Sequence, residues 1–213
     1  MNSSSKREKH AVVAMAAILV ASLVPVSFAQ LSPAFPPALS NGTTVGNGTS
    51  VANMTDFETA RQQYLDSWNQ TELQAAFSTF IEPYSEQGYG VYDEHPSDVF
   101  RPGDTITLYI EPVGFSHMPV LDDQGNTLYQ MNLTARVAIE DEAGNLLATI
   151  EDLPPFELVS HRKNTELYMT VAVTQQQPFP EGAYRLTYEI GDGQTGESTL
   201  LTKEIRIAQT VSS

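Results

Sequence analysis

Four side chains in this sequence have the chemistry of a soft-metal site: His117, Met118, Met131 and His161. His117 and Met118 are adjacent, Met131 follows Met118 by 13 residues, and His161 follows Met131 by 30. Imidazole with thioether suits Cu(I), so extracytoplasmic copper binding or chaperoning is one activity these residue types allow. Ordinary roles compete with it. Met131 and Met169 fit core or strand positions, and His117 and His161 fit surface or hydrogen-bonded ones. Calcium is a poorer match, because Asp122-Asp123-Gln124-Gly125-Asn126 lacks the ligand alternation and closing Glu of an EF-hand loop. Asp, Gly and Asn together suit a hairpin tip. The chain has no cysteine, which removes thiol catalysis, cysteine zinc sites and disulfides. It has no Gly-x-Ser-x-Gly and no His-Glu-x-x-His. The expectation is a non-enzymatic protein with no catalytic residues and no cofactor, copper being the alternative.

A second chemistry is contact with, or attachment of, glycans. Asn-x-Thr sequons stand at Asn41, Asn47, Asn53, Asn69 and Asn132. Tyr89, Tyr92, Phe115 and Tyr129 lie near expected loops and are candidates for a patch that meets a partner or a glycan; sandwich core is their competing role. Glu111-Pro112-Val113-Gly114-Phe115 places Pro and Gly in a strand, which predicts a bulge or an edge.

These residues must be carried outside the cytoplasm for such roles. Lys6, Arg7, Lys9 and His10 form a basic head, Ala11 to Val24 an apolar run, and Ser27 and Ala29 the small residues before a cut at Gln30. Residues 1–29 therefore read as a signal peptide. The competing reading is an uncleaved anchor over Ala11 to Ala29, just long enough to span. Either way the rest of the chain is expected to be secreted or displayed on the cell surface. Cleavage removes Lys6, Arg7, Lys9 and Glu8, which leaves 8 basic and 25 acidic residues and a net charge of −17. Such a surface repels nucleic acid and anionic lipid. No nucleic-acid partner is expected, and membrane contact only through an uncleaved N-terminal segment.

Residues 30–55 carry no charge and are rich in Pro, Gly, Ser, Thr and Asn, a composition that predicts a flexible linker with three of the sequons. Residues 56–83 carry helical signals. Phe57, Ala60, Arg61, Tyr64, Leu65 and Trp68 recur at spacings of three and four. Leu73, Ala76, Phe77, Phe80 and Ile81 do so again before Pro83, which predicts a second short helix. From residue 88 to 208 the period becomes two, in runs such as Thr105 to Ile110, Leu133 to Ile139, Leu167 to Val173, Tyr184 to Ile190 and Lys203 to Ile207. Shorter strands are expected at Gly90 to Tyr92, Leu146 to Glu151 and Phe156 to His161. Gly-containing turns separate the strands. Residues 209–213 read as a disordered tail. The predicted fold is mainly β: an antiparallel β-sandwich of seven or eight strands behind a short α-helical segment.

Particular stretches sharpen this. Val99-Phe100-Arg101-Pro102-Gly103-Asp104-Thr105-Ile106 resembles the opening strand, and Phe179-Pro180-Glu181-Gly182-Ala183-Tyr184-Arg185-Leu186-Thr187-Tyr188 the closing hairpin, of immunoglobulin-like domains in secreted microbial proteins. The run from Gly88-Tyr89-Gly90-Val91-Tyr92 to Gly114-Phe115 resembles a family of uncharacterised exported β-sandwich proteins of bacteria and ammonia-oxidising archaea. The resemblance covers roughly residues 57–207 and implies an immunoglobulin-like fold and a compartment, but no activity. The order His-Met, Met, His is also similar to that of small periplasmic copper chaperones, with longer spacings and Lys163 where a final Met would stand. The expected role is a non-catalytic binding or structural one at the cell envelope, with an envelope protein or a glycan as partner.

Overall fold

A computed structural model of the chain describes residues 54–151 and 153–209. The leader, most of the linker, the sequons at Asn41, Asn47 and Asn53, and residues 210–213 lie outside the described residues. The described residues are mainly β, with one helix among them. Helix α1 spans Met54–Trp68. Ten strands follow: β1 Gln74–Ile81, β2 Val99–Phe100, β3 Thr105–Val113, β4 Met118–Leu121, β5 Thr127–Asp141, β6 Leu146–Ile150, β7 Phe156–Ser160, β8 Met169–Thr174, β9 Gly182–Asp192 and β10 Ser198–Ile207. No described helix is long and apolar enough to cross a membrane.

The strands form two sheets. A small one has the order β1-β3-β8 and is antiparallel. A larger one, curled into a half-barrel, runs β2-β10-β9-β5-β4, with β6 and β7 also on β5. Its one parallel pair is β2 with β10. The alternation read from the sequence produces the core directly. Ile106, Leu108 and Ile110 of β3 and Val171 and Val173 of β8 meet Val137 and Ile139 of β5, Leu186, Tyr188 and Ile190 of β9 and Ile205 and Ile207 of β10 in one buried cluster. Lys203 extends from β10 and donates to the Ser78 carbonyl of β1 at 3.1 Å, tying the sheets at their rim.

Two hairpins use the same device. Asp122-x-x-Gly125-Asn126 joins β4 to β5, and Asp141-x-x-Gly144-Asn145 joins β5 to β6. Each Asp carboxylate accepts from the backbone N–H groups two and four residues on and from the Asn side chain, at 2.8–3.0 Å. Each Gly sits in the left-handed region, at φ 81° and 80°. The Asp122 cluster is thus occupied with its own turn.

Three expectations are corrected. The second helix of the 56–83 segment is strand β1, paired with β3 from Gln74 opposite Val113 to Ile81 opposite Thr107. A register shift between Ala75 and Phe77 breaks its two-residue rhythm, opposite Pro112 and Glu111, so its apolar spacing imitates a helix. The Glu111 to Phe115 irregularity thus appears as a bulge on the partner strand. The sequence also predicts a loop at His117-Met118 after the first long strand, but Met118 opens strand β4. Gly90 to Tyr92 is a turn with one isolated bridge, Gly88 to Val91, not a strand.

Beside the main core lies a second cluster: Trp68, Leu73, Phe115, Met131, Leu133 and Leu167. It fastens α1. Trp68 donates its indole N–H to the Phe115 carbonyl at 2.9 Å, and its ring meets Phe115 edge-on at 4.9 Å. Gly114, at φ 76°, lets the backbone pass under the Thr71 and Glu72 carbonyls, where a Cβ would overlap both.

Candidate functional site

The four candidate metal ligands divide between two sides of the larger sheet. Met118 pairs with Gln130, so it shares a face with Gln130 and lies opposite Met131, the next residue on β5. Met118 is 45% exposed, whereas Met131 is fully buried in the Trp68 cluster. His117 packs its ring against Phe115 and Trp68, at 5.3 and 6.2 Å, and its Nε2 lies 2.7 Å from the Asn164 carbonyl. His161 follows β7 and is exposed. The four therefore do not meet in one coordination shell. No group of three or more His, Cys, Asp or Glu side chains placed to hold a metal occurs among the described residues.

The sequons also part company. Asn69 is exposed in the turn after α1. Asn132 sits in the middle of β5, its amide nitrogen 3.4 Å from Glu157 and its carbonyl oxygen buried. A Cβ on Gly193 would come within 2.8–2.9 Å of that amide. Of the candidate aromatics, Phe115 is core and Tyr129 is half-buried beneath the Lys163 ammonium at 5.7 Å. Tyr89 and Tyr92 remain available.

Those two belong to a larger arrangement on the outer face of the small sheet. On β3, Ile106, Leu108 and Ile110 point into the core, so Thr107, Tyr109 and Glu111 point away from it. The connection 82–98 lies over them. It is held by Glu82 N–H to Asp93 O at 2.8 Å, Gln87 N–H to Val91 O at 2.8 Å and His95 N–H to Phe80 O at 2.9 Å. Its Gly90 N–H donates to the Tyr109 hydroxyl at 2.7 Å, and that hydroxyl donates to Glu111 Oε1 at 2.9 Å. Tyr92 leans on the Tyr109 ring at 4.4 Å, Tyr168 stacks on it at 5.2 Å, and Phe77 meets it edge-on at 6.5 Å.

Tyr109 itself is buried, but the rings around it reach the surface: Tyr89 and Phe77 are each 42% exposed, and Tyr92 and Tyr168 are half-buried. Tyr84, in the same connection, is 73% exposed and held at φ 63°, a costly conformation for a bulky residue. Carboxylates edge the rings. Glu111 and Glu166 act on Tyr89, Glu86 acts on Tyr168, and Glu94 receives Thr79 Oγ1 at 2.8 Å. Residues 82–98 include no lysine or arginine. Burial first, then the neighbouring glutamates, raises Tyr89, Tyr92 and Tyr168 above the ordinary tyrosine value, and burial does the same for Tyr109. All four hydroxyls are therefore neutral donors at physiological pH. Flat rings with carboxylate and phenol groups at their edges can stack on a pyranose face and exchange hydrogen bonds with its hydroxyls.

The sequence singled out Tyr89 and Tyr92 but not Phe77, Tyr109, Glu111 or Tyr168 as parts of this face. Their common signal is faint: on the outward phase of β3 and β1, Tyr109, Phe77 and Ile81 interrupt the polar Thr107, Glu111 and Thr79. Reading it requires knowing that the connection 82–98 folds over that face.

No protein-family model matches the chain, and no curated protein matches it. Among solved structures it is similar to a family 123 glycoside hydrolase from Clostridium perfringens, a glycolipid glycan hydrolase, with a TM-score of 0.38 and 11% sequence identity. The match covers 66% of this chain and 28% of that one, so the chain spans under a third of that enzyme. A likeness this slight carries no argument about fold or activity.

Proposed function

We propose that the chain is an exported, non-catalytic binding module of the cell envelope, and that it holds an envelope glycan on the tyrosine and glutamate face of its small sheet. The observation that carries this reading is the ring of partly exposed Tyr89, Tyr92, Tyr168 and Phe77 around buried Tyr109, edged by Glu111. Export rests on the leader described above. The fold is proposed to be immunoglobulin-like. Its support is the strand order β1-β3-β8 facing β2-β10-β9-β5, with β2 parallel to β10. Support also comes from the Tyr184 hydroxyl, which donates to the Pro180 carbonyl at 2.8 Å at the entry to β9, as a tyrosine corner does.

The test is calorimetric titration of residues 54–209 with solubilised envelope polysaccharide, alongside Tyr89→Ala and Glu111→Gln variants. Tyr89 is exposed enough for its loss to spare the fold. Saturable binding that either variant weakens about tenfold or more is expected, a loss in the range of one stacking or charged hydrogen-bond contact. Wild-type protein that ignores polysaccharide but retains an envelope protein in a pull-down would replace the glycan with a protein partner.

A further inference from the structure

His117 sits where three parts of the chain meet: the end of α1, the β3–β4 turn, and the connection between β7 and β8. Its surroundings admit only one protonation state. Nε2 lies 2.7 Å from the Asn164 carbonyl. A carbonyl only accepts, so Nε2 carries the hydrogen and Nδ1 holds the lone pair. Nδ1 is buried and has no hydrogen-bond partner among the described residues. The ring is walled by Trp68 and Phe115. A second proton would place an N–H and a positive charge in that wall with nothing to accept them, which costs far more than the same proton costs in water.

The charged groups that act on the ring come from two other elements. Lys163, in the β7–β8 connection, opposes protonation, and Asp192, at the end of β9, favours it. Asp192 offers little relief, because its carboxylate already accepts from the backbone N–H groups of Ser116, Gln194 and Thr195 at 2.7, 2.8 and 3.3 Å. Burial accordingly outweighs the help of Asn164 and Asp192, and holds His117 below the ordinary histidine value.

We propose that His117 makes the attachment of α1 to the sheets pH-dependent, docked when the imidazole is neutral and released when it is protonated. Among the described side chains of α1, over residues 55–68, Trp68 alone is deeply buried, with Arg61 and Leu65 half-buried. Its last turn is thus the fastening, and His117 is part of the surface it fastens to. In mildly acidic surroundings the helix would then be freed from a fixed orientation relative to the sheets.

The direction follows from linkage. An undocked His117 titrates near 6.5, and the docked one lower. Docking is therefore complete above about pH 6.5 and weakens as pH falls, by up to tenfold in the docked-to-undocked ratio per pH unit until the docked value is reached. Trp68 is the only tryptophan in the chain, so its fluorescence reports this joint alone.

The experiment is a fluorescence titration of the folded protein from pH 7.5 to 4.5, with far-ultraviolet circular dichroism at each point and a chelator present. His117→Gln keeps an amide that can donate to Asn164 and cannot take a second proton. The wild type is expected to show a red-shifted, altered Trp68 emission with a midpoint below 6.5 while the β signal holds. The Gln variant is expected to stay flat. Superimposable wild-type and variant curves, or loss of the β signal together with the emission change, would overturn the proposal.

Discussion

At the scale of single residues, what decides the cost of a change is whether a polar atom has a partner, more than how deeply it is buried. Tyr109 and Tyr188 are both fully buried. The Tyr109 hydroxyl bonds the Gly90 N–H and Glu111, whereas the Tyr188 hydroxyl has no partner among the described residues. Removing a satisfied hydroxyl strands its partner, while removing an orphan strands nothing. Tyr109→Phe is expected to lower unfolding free energy by about 1–2 kcal/mol in urea denaturation and Tyr188→Phe to be neutral or slightly stabilising. Equal losses in the two would contradict this accounting. Gly114→Ala combines a left-handed φ with overlap against two carbonyls; it should cost about 2 kcal/mol or more, with Trp68 emission shifted to the red. Little of this detail was legible in the sequence. The copper candidates show why: the two-residue alternation of a strand sends Met118 and Met131 to opposite faces once β4 is recognised, and β4 is too short for its period to announce itself.

At the scale of elements, legibility tracked regularity. Strands β3, β5, β8, β9 and β10 alternate cleanly, and each contains or closely overlaps the stretch where its rhythm placed it. Helix α1 matches its three-and-four spacing as far as Trp68. Strand β1 did not, because its register shift at Ala75 to Phe77 resets the phase. At its end Phe80 and Ile81 are buried on opposite faces, so two adjacent apolar residues replace the alternation there. A strand of eight residues with its phase reset cannot be told from a helix by spacing alone. The elements also differ in how firmly they are held. Strands β5 and β9 are paired along both edges, while α1 is fastened through its last turn. Hydrogen exchange is expected to be slowest at Val137, Ile139, Leu186 and Tyr188 and fast through residues 54–62 of α1. Strong protection at Thr59 or Ala60 would mean that the helix has a second attachment.

For the molecule as a whole, charge and acid response are the properties that the parts produce together. The chain carries 26 acidic against 11 basic residues. On the solvent face of the larger sheet, Arg136 joins Glu189 and Glu151, and Arg185 joins Glu140 and Glu204, at 3.0–3.7 Å. These exposed pairs contribute little individually. They interrupt a field of like charge, so added salt weakens them but relieves the wider repulsion. The carboxylates set the acid limit. The Asn126 and Asn145 side chains hold Asp122 and Asp141 below the ordinary carboxylate value. Burial would raise Asp192, but the Ser116, Gln194 and Thr195 hydrogen bonds outweigh it and hold it low. For a carboxylate lowered by folding, the stabilisation is present above the unfolded value near 3.9 and disappears as pH falls through the folded value. The His117 response lies above this range, so acidification should produce two separate events: release of α1 below about pH 6.5 with the sheets intact, then loss of the sheets below about pH 4. Asp192→Asn leaves three N–H donors facing an amide and should cost about 2 kcal/mol at pH 7. It should also flatten the lower event in a melting series from pH 7 to 2. Because Asp192 favours the imidazolium, its loss should strengthen the upper event, and a variant that weakened both events together would contradict this separation.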